Sequence, residues 1–222
     1  MANKPEVVNH SLLITEIYSS IQGESTYAGR PCVFVRLTGC PLRCKWCDTA
    51  YGFDGGTSMQ ISDIIEKILK TGITLVEITG GEPLAQESCT ELMRQLVSTG
   101  LEVICETGGS EPIVKVPKEV TLIMDLKCPD SKMADRNLWS NLDDLKPQDE
   151  IKFVIASRRD FDWAIEVVRQ HKLTQKHCVL VSPAFGLVKP DVLVDWLLES
   201  GENLRFNLQQ HKYIWSPRAK GV

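Results

Sequence analysis

Short β-branched runs alternate with helix-patterned segments along most of this chain, and that alternation restricts the fold more than any other feature. PCVFVRL (31–37), TLVEIT (74–79), LEVICET (101–107), VTLIMDL (120–126), IKFVI (151–155), CVLVS (178–182) and LRFNL (204–208) each read as a buried strand. Between them, SMQISDIIEKILKTG (58–72) places Ile61, Ile64, Ile65, Ile68 and Leu69 on one helical face, with Gly72 as the stop. ESCTELMRQLVSTG (87–100), DFDWAIEVVRQHK (160–172) and PDVLVDWLLES (190–200) repeat the helical pattern. This order predicts an α/β fold with mainly parallel strands. About seven strands with four or five helices are too few for a closed eightfold barrel, so an incomplete (partial) TIM-like barrel is expected. An open doubly wound sheet is the alternative, and either fold gathers chemistry at the C-terminal ends of its strands.

No linker, repeat or low-complexity tract interrupts the 222 residues, so a single domain over 1–222 is expected. The net charge of -4 comes without a basic run, which argues against a nucleic-acid partner. The opening MANKPEVVNHSLLITEIY has no apolar stretch long enough for a leader or a membrane span, so the expected address is cytoplasmic. In that compartment the eight cysteines are thiols, metal ligands or catalytic groups rather than disulfides. Cys32, Cys89, Cys105, Cys128 and Cys178 are dispersed, mostly within apolar runs where cysteine acts as a small hydrophobe.

The other three are clustered. GCPLRCKWCDT (39–49) sets Cys40, Cys44 and Cys47 in a C-x3-C-x2-C loop directly after the strand at 31–37. A closed zinc site takes four ligands, and no second C-x2-C pair is present, although Cys32 or a histidine could complete one. Three thiolates on a tight loop can instead hold three irons of a 4Fe-4S cubane and leave the fourth open to a ligand. Further polar segments fall at strand ends. ITGGEP (78–83) allows close backbone approach through its glycines, while ETGG (106–109), DLKCP (125–129) and SPAFG (182–186) read, taken singly, as capped turns or solvated strand ends.

The cysteine spacing, with Trp46 before the last cysteine, resembles the signature of the radical S-adenosylmethionine (SAM) superfamily. SSIQGESTYAGRPCVFVRLTGCPLRCKWCDT (19–49) is more discriminating. Its Q-G-E turn, G-x-P before the strand, Arg36, G-C-P and C-D-T resemble the 7-carboxy-7-deazaguanine synthase family of deazapurine and queuosine biosynthesis. GGEP, DLKCP and the tail QHKYIW extend the resemblance over most of the chain.

That resemblance implies a barrel of the radical SAM type, with a cluster loop at 39–49 and a substrate-closing tail over about 204–222. It implies that Cys40, Cys44 and Cys47 carry the 4Fe-4S cluster and that SAM completes the open iron. SAM contacts fall on Trp46, Cys47, Asp48, Gly80, Gly81, Glu82, Asp125, Lys127 and Ser182. Where family members often have Ser-Pro-Lys, this chain has Asp125-Leu126-Lys127. The substrate the resemblance implies is 6-carboxy-5,6,7,8-tetrahydropterin. Its contacts fall on Ile21, Gln22, Gly23, Glu24, Arg36, Thr79 and His211, and Thr49 is the protein ligand of a Mg2+ ion. Arginine is suited to paired hydrogen bonds with a carboxylate, and a hydroxyl suits a magnesium that keeps waters and substrate oxygens.

Implied partners are a flavodoxin- or ferredoxin-type electron donor and a second copy of the chain. Of the other histidines, His10 precedes the first apolar run, and His171 and His177 are expected in solvent beside a helix end. The rival readings are a glycyl-radical-type activating enzyme, which shares the cysteine spacing without the Q-G-E and C-D-T context, and a zinc-stabilised non-catalytic binding protein.

Overall fold

The computed structural model describes residues 10–222, so residues 1–9 of the opening stretch lie outside the described part. The chain begins with β1 (Ser11–Ile21), β2 (Pro31–Leu37) and β3 (Thr57–Gln60), followed by α1 (Ile61–Leu69) and β4 (Leu75–Gly80). It continues through α2 (Cys89–Ser98), β5 (Glu102–Thr107), β6 (Thr121–Asp125), the one-turn α3 (Asn141–Asp144) and β7 (Glu150–Ile155). It ends with α4 (Arg158–His171), β8 (Cys178–Pro183), α5 (Pro190–Ser200), β9 (Arg205–Phe206) and the one-turn α6 (His211–Ile214).

Among the described residues, nine strands form one unclosed sheet in the order β3-β1-β2-β4-β5-β6-β7-β8-β9. From β2 to β9 every neighbouring pair is parallel, whereas β1 is antiparallel to both β2 and β3. The expected α/β fold with an incomplete, mainly parallel barrel is therefore found, with an added antiparallel edge. Two strand assignments differ from expectation. Residues 58–60 were expected at the start of a helix, but Thr57–Gln60 pairs with Ser11–Ile14, and Gln60 is extended before α1 begins. β1 was not expected, because TEIYSSI mixes polar and apolar residues at positions that are only partly buried.

No long helix links β5 to β6. Pro112 and Pro117 break that connection, since proline removes a helical N–H donor. Asn141 holds the loop instead, its Nδ2 donating to the Glu111 carbonyl at 2.9 Å.

Alternation along parallel strands separates two faces. The convex face carries Val33, Val35, Val76, Ile78, Val103 and Leu122 against α1 and α2. Met124, Ile151, Phe153, Val179 and Val181 meet α4 and α5 in a second core. α4 begins at Ser157, whose hydroxyl accepts from the Asp160 N–H, and α5 begins with Pro190 and stops at Gly201 in the left-handed region. The concave face is apolar only at its N-terminal end, where Cys32, Phe34, Leu75, Ile104, Ile123 and Leu180 cluster with Tyr18 and Tyr27. His171 is not simply solvated as expected: its ring stacks on Trp139 with centroids 5.5 Å apart. His177 is partly buried, and burial lowers its pKa.

Candidate active site

Two residues beyond that apolar layer, the same strands turn charged. Arg36 follows Phe34, Glu77 follows Leu75, Glu106 follows Ile104 and Asp125 follows Ile123, while Lys152 stands on β7. These side chains line a cavity of about 730 Å³ at the C-terminal ends of the strands. The cavity lining includes Ile21, Gln22, Gly23, Glu24, Thr79, Gly80, Gly81, Lys127 and His211, together with the loop residues Cys40, Cys44, Trp46, Cys47, Asp48 and Thr49.

The cluster loop is seated on glycines. A Cβ at Gly81 would stand 2.1 Å from the Gly39 carbonyl oxygen and 2.7 Å from Cys40 Cβ, and one at Gly80 would meet Leu37 O at 2.3 Å. The close approach these glycines permit is thus first of all that of the chain's own backbone. The Glu82 N–H donates to the Gly39 carbonyl at 2.8 Å, and Lys45 N–H donates to the Ser131 carbonyl at 3.1 Å, holding the loop at both ends.

Burial raises the pKa of Cys40 and Cys44, and the Lys127 ammonium opposes that rise in both. Among the described residues no three His, Cys, Asp or Glu side chains converge on a single ion. A tetrahedral zinc requires such convergence, whereas each thiolate of a cubane sits on its own iron. Asp125 supplies a second sign of fit: Lys127 Nζ donates to its Oδ2 at 2.8 Å, while Oδ1 is buried without a partner among the described residues. An unpartnered buried carboxylate oxygen is costly, so a bound donor such as a ribose hydroxyl or an amino group suits this position.

The opposite wall is a charge network. Arg36 Nε donates to Glu16 at 2.8 Å, its guanidinium also reaches the Tyr18 hydroxyl at 3.2 Å, and Tyr51 donates to the same Glu16 at 2.7 Å. Burial would lower the pKa of Arg36, but the Tyr18, Tyr51 and Glu16 oxygens outweigh it and the guanidinium stays charged. Lys152, buried, donates to Glu24 at 3.0 Å and to Glu106. Although burial alone would raise the pKa of Glu24, Lys152 and Gln209 hold it below the usual carboxylate range. The tail closes the network, with Gln209 Nε2 donating to Glu24 at 2.9 Å and Lys212 Nζ to Asp48 at 2.6 Å. His211 packs on the Q-G-E turn so closely that a Cβ at Gly23 would meet its Nδ1 at 2.6 Å.

The cavity is thus a charged, half-open barrel mouth beneath a three-cysteine loop. The radical SAM superfamily matches residues 34–186. The 7-carboxy-7-deazaguanine synthase of Koribacter versatilis is 48% identical over 94% of this chain and 99% of its own length. The enzyme of the same name from Chlorobaculum tepidum is 40% identical over 95% and 97%. This chain belongs to the 7-carboxy-7-deazaguanine synthase family of radical SAM enzymes. The crystal structure of QueE from Escherichia coli, 22% identical, superposes with a TM-score of 0.75 over 90% of this chain and 95% of that one, which supports the fold. Membership brings the 4Fe-4S cluster and SAM as the family's cofactors and does not favour the activating-enzyme or zinc-scaffold readings.

Two of the expected site residues are absent from the cavity wall. Glu82 is fully buried behind it, accepting from Thr107 Oγ1 at 2.9 Å and from the Gly108 N–H at 2.7 Å, so it ties the end of β4 to the end of β5. Ser182 is buried against Asn207, whose Nδ2 donates to its hydroxyl at 2.8 Å. Conversely, Glu77, Lys152, Gln209 and Lys212 line the cavity and were not anticipated. The signal for the first two was a lone charge inside an otherwise apolar strand of a parallel sheet, where a solvated face is unusual.

Proposed function

We propose that this chain converts 6-carboxy-5,6,7,8-tetrahydropterin to 7-carboxy-7-deazaguanine with release of ammonia. The observation that carries the reading is the meeting, in one cavity, of the Cys40-Cys44-Cys47 loop with the Arg36, Glu24 and Lys152 network. When bound, the reduced cluster and SAM supply a hydrogen-atom abstractor. Cys40, Cys44 and Cys47 would hold the cluster, and SAM would take its open position. Trp46, Cys47, Asp48, Gly80 and Gly81 form its surroundings, and Asp125 Oδ1 is free to accept from it. Lys127 offsets the negative charge that thiolates bring to a buried loop.

Arg36 takes the substrate carboxylate, because its Nε is fixed by Glu16 while the guanidinium still lines the cavity. Gln22, Glu24, the backbone of Ile21 and Gly23, Thr79 and His211 surround the pterin ring. Thr49 has a hydroxyl that caps no helix and lies 3.6 Å from Cys47 Sγ on the cavity wall, which suits a Mg2+ that takes its remaining ligands from substrate and water. The protein's contribution is placement and exclusion of water, the tail residues Gln209 and Lys212 closing the rim. A flavodoxin- or ferredoxin-type protein supplies the electron, and the enzyme acts as a cytoplasmic homodimer. Among the described residues no helix is long and apolar enough to cross a membrane.

Anaerobic reconstitution tests the reading. The protein should bind about four iron and four sulfide per chain, as a cubane requires. With SAM, dithionite and the carboxytetrahydropterin it should then yield a product lighter by one ammonia in mass spectrometry. An iron-loaded enzyme that cleaves SAM but gives no such product refutes the substrate assignment.

A further inference from the structure

We propose that Glu77 is a neutral carboxylic acid that donates a hydrogen bond from the cavity floor to a ring carbonyl or unprotonated ring nitrogen of the bound heterocycle, a specificity-determining contact. The identity of the heterocycle rests on the pterin reading above. Glu77 is 3% exposed, lies mid-strand on β4 and lines the cavity. It has no ion-pair partner among the described residues, although Glu24 and Glu106, its neighbours across the floor, share Lys152. The barrel cation that could have neutralised it is therefore already committed twice.

The hydrogen-bond geometry then fixes where the proton stands. Gln22 Nε2 donates to Glu77 Oε2, and Gln22 Oε1 accepts from the Glu24 N–H at 2.9 Å, which sets the amide orientation. The Glu77 oxygen facing Gln22 must be an acceptor. In a neutral acid it is the carbonyl, so the hydroxyl is the other oxygen, on the cavity side. A buried acid kept neutral so that it can donate is a known catalytic device.

The groups facing Glu77 from each side agree with this assignment. β1 offers Tyr18, and β2 offers Arg36 and Cys32, with Arg36 engaged by Glu16. β5 offers Glu106, the turn after β1 offers Gln22 and Glu24, and β7 offers Lys152, while Cys105 lies close by on the opposite face of the sheet. Burial first, then the Glu106 and Glu24 carboxylates, raise the Glu77 pKa well above its usual value, against the opposing effects of Lys152 and Arg36.

Infrared spectra of the reconstituted holoenzyme without substrate, taken against Glu77→Gln, should show a protonated-carboxyl C=O band at neutral pH that the variant lacks. With the carboxytetrahydropterin, Glu77→Gln, which retains an N–H donor, should lose only about threefold in kcat/KM, whereas Glu77→Ala should raise KM roughly ten- to a hundredfold. The alkaline limb of the wild-type kcat/KM profile that belongs to Glu77 should vanish in the Gln variant. Absence of the band, or a Gln variant as impaired as the Ala variant, overturns the proposal. Because the Gln variant is nearly isosteric, this holds even if Glu77→Ala does not fold. A normal band in a wild-type enzyme that fails to turn over the pterin instead overturns the substrate reading, and with it the pterin as the ligand of Glu77.

Discussion

The concave face of the barrel holds two layers built by the same strands and separated by only two residues, or about 7 Å, along each strand. Phe34, Leu75, Ile104, Ile123 and Leu180 make the lower layer mainly apolar, with the buried Glu150 held by Thr26 as its exception, whereas Arg36, Glu106, Asp125 and Lys152 make the upper one charged around Glu77 and open to the cavity. Neither layer is more buried than the other in any simple sense: Lys152 and Glu77 are as enclosed as many core residues. What differs is how each group is satisfied. Apart from Glu150, the lower layer is satisfied by close packing, so it closes the barrel floor. The upper layer needs partners for every charge, and those partners come from β1, the Q-G-E turn and the tail, which lie far apart in the chain. Stability and recognition thus share one face and obey different rules.

The largest effect should come from removing the central cation of the upper layer. In Lys152→Met the partly exposed Glu24 and Glu106 lose their shared buried partner, and because solvent reaches both carboxylates the loss should fall below that of a fully buried pair, at roughly 1–3 kcal/mol. Chemical denaturation of the variant should show that loss, and turnover should fall with it because Glu24 is released toward the tail. The double variant Lys152→Met with Glu106→Gln should recover part of the stability. Equal losses in the single and double variants would mean that the charges in this layer are not coupled.

The contrast between the layers also explains how much could be read from the sequence. The lower layer and the convex cores were legible because β-branched runs of five to seven residues announce parallel strands, and each such run does become a strand. At LRFNL, however, only Arg205 and Phe206 pair, too few to close the sheet. The cysteine loop and Arg36 were legible from spacing and resemblance. The network around Lys152 was not, since a lone lysine in IKFVI or a lone glutamate in TLVEIT signals a polar site on a parallel sheet without naming its partners. Its meaning depends on contacts across 128 residues to Glu24. The join between Lys212 and Asp48 spans 164 residues. No periodicity encodes such distant pairings. Likewise, the glycines of ITGGEP suggested an approach to ligand, but only the fold reveals that the Gly39 backbone fills the space.

A smaller effect should follow from trimming the lower layer. Ile104→Val removes one methylene from a fully buried site and should cost about 0.5–1.5 kcal/mol in denaturant unfolding. Because the layer only supports the site, kcat/KM should change far less than in Lys152→Met. A large loss of activity with unchanged stability would instead mean that the lower layer transmits position to the charges above it, and would erase the distinction between the layers.

The smallest expected effect concerns the rim, where the upper layer meets the tail. Burial against the Q-G-E turn lowers the His211 pKa below its ordinary 6.5, and the neighbouring Lys212 and Arg36 charges act in the same direction while Glu24 and Asp48 oppose it. The sign follows from linkage: a group whose folded pKa is depressed contributes stability that is intact above the unfolded value and lost as pH falls through the folded value. The docked tail should accordingly loosen below about pH 6.5, as the undocked imidazole takes up a proton that the docked one resists. Amide exchange at Lys212, Tyr213, Ile214 and Trp215, whose N–H groups are bonded in the docked tail, should quicken over that range relative to intrinsic rates. His211→Gln should flatten the response, while exchange in β4 and β5, over the lower layer, should remain unaffected in both proteins. If those strands loosened together with the tail, the two layers would melt as one unit, and the division between a packed floor and a separately assembled rim would have to be abandoned.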